Sequence, residues 1–371
     1  MPASRRAASG RLSALVLAET TGLALQATYC LHALKARIFI VGRPGTKLLG
    51  RSRYCKDFVE WDYHPQVNDP RTFSLWLKDY IRQKGIDIVV PIGDLGMSVI
   101  AAIRGDLPVP TFPIPSVAVC SLYNDKWAFY ELCVRAGVPV PRSLFFKDRH
   151  EITADQIERA FGFPCVVKPT QEGDREGVEF CRSPDELRAR ILDNPGYDYS
   201  PIIVQELIQG REIDLNALSI KGGVVASSVQ YREGKQIVFE DRPAYVEYGA
   251  RVLAAKGYEG LAHFDAIEDS RDGKIKFLEC NARSWGSIGA SAFCGLNFFE
   301  GGISYALGNA WTATRIRDGS SYLPPAHAVL SLLGIRRASR PISRATLRGL
   351  ACALGDPVPF ACEYLRLVRA P

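Results

Sequence analysis

The chain has 371 residues, 47% of them apolar and 23% charged, with a formal net charge of +6. That length exceeds one simple core and points to two or three domains of an ordinary soluble globular protein. From Thr312 onward there are nine arginines, no lysine and three acids, so the excess positive charge sits in the tail and the body carries no nucleic-acid footprint.

Ten cysteines are scattered without a CxxC pair or a nearby histidine cluster, which argues against structural zinc. With no secretory signal they predict reduced thiols and a cytoplasmic protein. The apolar stretch from Leu12 to Leu34 is broken by Glu19, the Thr20-Thr21-Gly22 turn, Gln26 and His32. It reads as strand, turn and helix rather than as a membrane span or leader.

The chain opens in α/β fashion. Leu12–Leu17 is a buried-strand run, Thr21–Lys35 a helix and Arg37–Val41 a second strand. Trp76–Lys84 is helical again, and Ile86–Pro91 is a third strand. Strands alternating with helices predict a doubly wound parallel sheet over residues 1–115. No GxGxxG follows the first strand, so a dinucleotide fold has little support.

The Pro-rich stretch Leu107–Pro115 marks a boundary. Asn124 or Asp125 then caps a helix that begins at Lys126 and ends near Gly137. Strands follow at Pro164–Lys168, Val178–Cys181 and Ile202–Gln205, with a helix opened by Ser183-Pro184 between the last two. A long strand at Glu212–Ser219 turns at Gly222-Gly223 into Val224–Tyr231. This pattern predicts an α+β domain of two lobes over residues 116–310, the small lobe at 116–204 and the large at 205–310. Residues 311–371 form a basic helical extension, in which Arg337, Arg340, Arg344 and Arg348 fall at the spacing of one helical stripe. That stripe offers a peripheral membrane or protein contact.

Glu279, Asn281 and Arg283 occupy alternate positions of one apolar strand, and Asp265 ends a similar run fourteen residues earlier. Alternate residues share a face. If Asp269–Gly273 is a turn, two carboxylates and an amide converge from neighbouring strands. Such hard oxygen ligands suit magnesium together with substrate phosphates, and Arg283 would meet the remaining phosphate charge. His263 shares the face if the strand is regular, and reads first as a packed histidine. Lys168 ends a buried strand before a proline, where an uncompensated ammonium is costly.

Taken together, Asn124-Asp125-Lys126, Phe163–Pro169, Val204–Glu212 and Glu279–Arg283 resemble the ATP-grasp superfamily, in the same order. The narrower likeness is to its predicted ATP-dependent carboxylate–amine ligases, over roughly residues 12–308. The resemblance implies ATP and Mg2+ as cofactors, with Mn2+ as the alternative ion. Asp265, Glu279 and Asn281 would be metal ligands, and Lys126 and Lys168 would contact the nucleotide phosphates. Gln205, Glu206, Leu207 and Ile208 would form the adenine hinge, and Glu212 would accept from the ribose hydroxyls. Arg175 would sit in the phosphate-covering loop 170–177, which is more acidic than in relatives. Arg283 would stabilise the transferred phosphoryl group. The implied reaction joins a carboxylate to an amine through an acyl-phosphate. The alternatives are another acceptor (ammonia, a thiol or a hydroxyl, as in a carbamoyl-phosphate-type reaction) or a nucleotide-binding regulator without turnover. Small-molecule substrates and no nucleic acid are the expected partners.

Overall fold

A computed structural model describes residues 11–63, 70–171 and 176–369. The first sheet contains β1 (Ser13–Ala18), β2 (Arg37–Gly42), β3 (Cys55–Glu60) and β4 (Ile88–Ile92), in the order β3-β2-β1-β4. All pairings are parallel. Alternation along β1 sends Ala14, Val16 and Ala18 to a core with Ala24, Ala27 and Leu31 of α1 (Thr21–Ala33). Leu15 and Leu17 go to the opposite core, with Phe73 and Leu77 of α2 (Pro70–Lys84) and Ile100 of α3 (Asp94–Ile103). Helices on both faces make the sheet doubly wound, as the α/β alternation predicts.

Strand β3 has no counterpart in the sequence reading, so the strand expected third is in fact the fourth. The reason is physical. β3 is an edge strand, half-exposed along its length, and its Lys56, Asp57 and Glu60 break any apolar run. Its Asp57 is held by Lys84 at 2.7 Å and by the Tyr80 hydroxyl at 3.0 Å.

After the Pro-rich boundary come α4 (Val117–Asn124) and α5 (Lys126–Arg135). Asp125 is the N-cap of α5, its carboxylate accepting from the Ala128 N–H at 2.8 Å. The second sheet has the order β5-β8-β6-β7 and is antiparallel. It comprises β5 (Ser143–Phe146), β6 (Cys165–Pro169), β7 (Glu179–Cys181) and β8 (Ile202–Glu206). Its outer face packs on α6 (Ala154–Ala160) and α7 (Pro184–Leu187) through Val167, Val204, Ile157 and Leu187.

The third sheet is antiparallel, in the order β13-β12-β9-β10-β11-β14. Its strands are β9 (Gly210–Ile220), β10 (Gly223–Glu233), β11 (Gln236–Glu240), β12 (Gly260–Asp269), β13 (Ile275–Asn281) and β14 (Ser321–Tyr322). The β9–β10 hairpin turns through Lys221 and Gly222, both at positive φ, the backbone a two-residue hairpin of this twist needs. One face of this sheet is covered by α8 (Pro243–Ala254) through Tyr245, Val252 and Leu253. The other is covered at one end by α9 (Ile288–Phe293) and α10 (Phe298–Ala306), which also join the core beside α1. The remainder of that face is open toward the second sheet.

The tail forms α11 (Pro325–Leu332), α12 (Arg344–Leu354) and α13 (Pro357–Arg369). The four-arginine stripe expected there does not exist as one helix. Arg337 and Arg340 lie in a non-helical segment, Pro341 follows, and Ser343 caps a fresh start by accepting from the Thr346 N–H. Arg340 is spent on Glu233 at 2.8 Å and on the Tyr231 hydroxyl at 2.9 Å.

Candidate active site

On the open face of the third sheet, pairing aligns polar residues in two rows. Gln230, Asp214, Asp265 and Glu279 are successive cross-strand partners. The next level carries Ser228, Asn216, His263 and Asn281. Directly paired residues share a face and come within side-chain reach. The opposite face of the same strands is apolar, with Ile213, Leu215, Phe264 and Cys280 in the core. Beyond Asp265 the register shifts, so Ala266 pairs with Phe277 and Leu278 is the extra residue of a bulge. The bulge keeps both the acid pair and the buried Phe277 in place. Asp265 and Glu279 are thus brought together as their fourteen-residue spacing predicts.

A chain of hydrogen bonds links the rows to the first sheet. Asn216 Oδ1 lies 2.7 Å from His263 Nδ1, and His263 Nε2 lies 3.2 Å from Asp265 Oδ1. Asn281 donates to Asp265 at 2.9 Å and accepts from Arg283 at 3.1 Å. Arg283 continues through Nε to Asp94 at 2.9 Å, in the first turn of α3. Asn124 donates to Asp94 at 2.9 Å and accepts from the Ala282 N–H at 2.9 Å. Asn124 is therefore a brace between domains, not the cap of α5.

Two lysines approach the acid row, one from the start of α5, which packs on the third sheet, and one from β6 of the second sheet. Lys126, at the first position of α5, is buried, with Nζ 3.7 Å from Glu279. Its backbone N–H donates to the Thr170 carbonyl at 2.8 Å. Lys168 on β6 is buried on the cleft side, opposite Ile203. Burial pulls its pKa down to about 8; the carboxylates of Glu279 and Asp265 work against that, and the ammonium of Lys126 works with it.

The acids respond in kind. Burial alone would raise Asp265, but the charge and hydrogen bond of His263 and the contact with Glu279 hold it below the usual carboxylate range. Burial would lower His263, yet Asp265 outweighs it and the imidazole pKa is raised. Asp214 is raised by burial. Trp285 stacks beside His263, with ring centroids 5.8 Å apart.

The remaining expected residues divide. Gln205 is buried and donates to the Ser143 hydroxyl at 2.9 Å. The Glu206 side chain is not in the cleft: it lies buried on the opposite face, bound to Arg142 at 2.9 Å and near Lys276 at 3.5 Å. Only its backbone remains for a hinge role. Ile208 is buried, and Leu207 is tied through its N–H to Pro164. Glu212 is exposed, one alternate position from Asp214 on the same face. Arg175 lies outside the described residues. Arg242 is spent on Glu240 and Glu268, and Arg251 on the Ala136 carbonyl. Arg232 stands exposed two positions from Gln230.

Asp214, Asn216, Gln230 and Asp94 were not singled out in the sequence. Asp214 and Asn216 continue from Glu212 at a period of two, a signal of the same kind as that of Glu279 and Asn281. Asp94 left no signal, because its partner Arg283 is 189 residues away.

Among the described residues, Thr170 Oγ1, Gln230 Oε1, Ser284 Oγ and Trp285 Nε1 are buried polar atoms without a hydrogen-bond partner. Buried polar atoms are rarely left so. Two buried lysines facing adjacent carboxylates, with hydroxyls waiting, fit a polyphosphate and a hard divalent cation.

Comparison with known proteins agrees with this geometry. Residues 132–256 match the model of the D-ala D-ala ligase C-terminus, and residues 198–322 match that of an ATP-grasp in the biosynthetic pathway with Ter operon. Residues 132–322 are thus similar to ATP-grasp and D-ala D-ala ligase domains. D-alanine–D-alanine ligase of Fervidobacterium nodosum is 28% identical over 186 residues, covering 44% of this chain and 58% of that enzyme. The chain thus spans less than two thirds of that relative. The ATP-grasp fold itself extends further. N5-carboxyaminoimidazole synthetase of Staphylococcus aureus superposes with a TM-score of 0.65 at 13% identity, covering 89% of this chain and 86% of that one. L-amino acid ligase of Bacillus licheniformis does so at 0.60 and 16% identity, covering 81% and 75%.

Proposed function

We propose that the protein is an ATP-dependent ligase that joins a carboxylate to an amine through an acyl-phosphate, releasing ADP and phosphate. The observation that carries this is the convergence of Lys168, from the second sheet, and Lys126, from the start of α5, on Asp265 and Glu279 of the third sheet. The lysines neutralise the triphosphate, and Lys168 regains by binding it the countercharge that burial denies it. Asp265, Glu279 and Asn281 would hold Mg2+, or Mn2+ in its place. When bound there, such an ion would supply charge neutralisation for the phosphates.

Gln205 to Ile208 border the adenine through backbone groups, and Glu212 accepts from the ribose. Arg283, fixed by Asp94 and Asn281, meets the phosphoryl oxygens as the donor carboxylate attacks the γ-phosphorus. Arg232 is the candidate partner for that carboxylate. The amine then attacks the acyl carbon, phosphate leaves, and the nitrogen loses its proton. His263 is a positioning residue: its bonds to Asn216 and Asp265 set the angle of the Asp265 carboxylate.

The test is ADP release with magnesium, screened over small carboxylates with hydroxylamine as a general trap for acyl-phosphates. Hydroxamate appearing with one carboxylate supports the reading. Nucleotide binding without any turnover would replace it with a regulatory role. Glu279→Gln should lower kcat by roughly 10²–10³-fold, the scale for losing one electrostatic stabiliser of this kind.

A further inference from the structure

One cavity, of about 280 Å3, is left unassigned by these roles; it lies between α3 and α4 with Gln171 at its rim. Its inner end is Asp94 and Asn124, the pair that touches Arg283 and the Ala282 backbone. Its walls mix apolar Met97, Ala101 and Val117 with the hydroxyl-bearing Ser98 and Ser121. Asp125 stands at the rim and accepts from Gln171 at 3.3 Å. Behind Asp94 sits a further carboxylate, Glu19, which accepts from the Leu95 N–H at 2.9 Å. No lysine, arginine or histidine lines the cavity among the described residues.

We propose that this cavity is the acceptor pocket, and that the acceptor is a primary amine with a compact apolar body and no carboxylate beside the nitrogen. The inference rests on the ligase reading and adds the class of one substrate. An ammonium group is attracted chiefly by Asp125, since the charge of Asp94 is shared with Arg283, whereas a carboxylate would be repelled by Asp125. The cation nearest to hand is already committed. Arg283 bonds Asp94, Asn281 and the Ser284 carbonyl and has its remaining N–H groups assigned to the phosphoryl oxygens, and Lys126 faces Glu279. An α-amino acid would therefore bring a second charge with no partner, at a cost that discriminates strongly. Position agrees as well, since only Arg283 separates Asp94 from Asn281, which donates to Asp265 of the acid row. The volume has room for roughly nine water-sized groups, enough for a short alkyl or aryl body.

The experiment uses the full chain with ATP, magnesium and a carboxylate found by hydroxylamine trapping. Alkylamines and arylalkylamines compete with hydroxylamine, and amide and hydroxamate are quantified together by mass spectrometry. Matched α-amino acids, identical but for the carboxylate, form the second arm. Expected is amide from the amines at a rate at least about tenfold above that from their amino-acid counterparts. Ala101→Phe on α3 and Val117→Trp on α4 fill the cavity from opposite walls. Each should lower the ratio of amide to hydroxamate by about tenfold or more, because hydroxylamine needs no pocket. Equal or better use of the amino acids overturns the assigned class. An unchanged ratio in both variants overturns the pocket while leaving the ligase reading intact. No hydroxamate from any carboxylate overturns the ligase reading, and this inference falls with it.

Discussion

Lys168 carries the clearest pH signature in the cleft. Its ordinary pKa near 10.5 falls to about 8 in the folded protein, because burial removes hydration that nearby carboxylates only partly replace. A folded pKa below the unfolded one means the unfolded chain holds more protons between pH 8 and 10.5. Stability of the nucleotide-free protein therefore gains a contribution as pH rises through that window. Nucleotide binding runs the other way. Phosphate favours the ammonium, so affinity should be flat below about pH 8 and weaken above it by up to about tenfold per pH unit. Isothermal titration with MgADP from pH 6.5 to 9.5 measures this, and Lys168→Met should weaken binding and flatten the profile. A flat profile in the unsubstituted protein would remove Lys168 from the phosphate site. What made this residue visible in sequence was local: a lysine ending an apolar strand before proline. The acid pair was visible for the same reason, since period-two spacing and a short turn are properties of neighbouring residues.

At the scale of elements, the entry into β9 beside β12 depends on Gly210. A Cβ there would stand 2.0 Å from the carbonyl oxygen of Glu268, and backbone cannot swing aside as a side chain can. Gly210→Ala should destabilise the protein by about 1–3 kcal/mol, as overpacking does, and should shift Glu212, two residues on. Urea unfolding followed by nucleotide titration checks both effects. An unchanged midpoint would mean that the β9–β12 pairing at Asp269 relaxes without cost. Among the elements that sequence reading found, β1, β2, β4, β8 and α1 carry a buried face. Strand β3, which it missed, carries its signal across the chain. Strand β3 is held by Lys84 and Tyr80 of α2, and the arginine spacing in the tail was read as a helix although Pro341 forbids one. Glu206 illustrates the same limit. Its neighbours in sequence suggested a hinge contact, but its partners Arg142 and Lys276 come from β5's approach and from β13.

The molecule as a whole is closed by its tail. Asp356, fully buried between α12 and α13, accepts from the Ser52 hydroxyl at 2.7 Å and the Arg53 N–H at 2.8 Å. The Tyr54 hydroxyl donates to the Cys352 carbonyl at 2.7 Å. Ala353 belongs to the core shared by the parallel sheet and the large lobe, and Cys352 and Phe360 pack against it. The basic extension thus docks on the first domain and on β14 at once, through Ser343 to the Ser321 carbonyl. A carboxylate holding two buried donors cannot be removed without stranding them. Asp356→Ala should cost about 2–4 kcal/mol; Asp356→Asn, which keeps one acceptor, should cost less. Because the bonds span some 300 residues of chain, the loss should appear in the first domain as well as in the tail. Hydrogen exchange would then rise at Ser52–Tyr54 and in α12 together. Increased exchange confined to the tail would show an appendage resting on a first domain that stands without it.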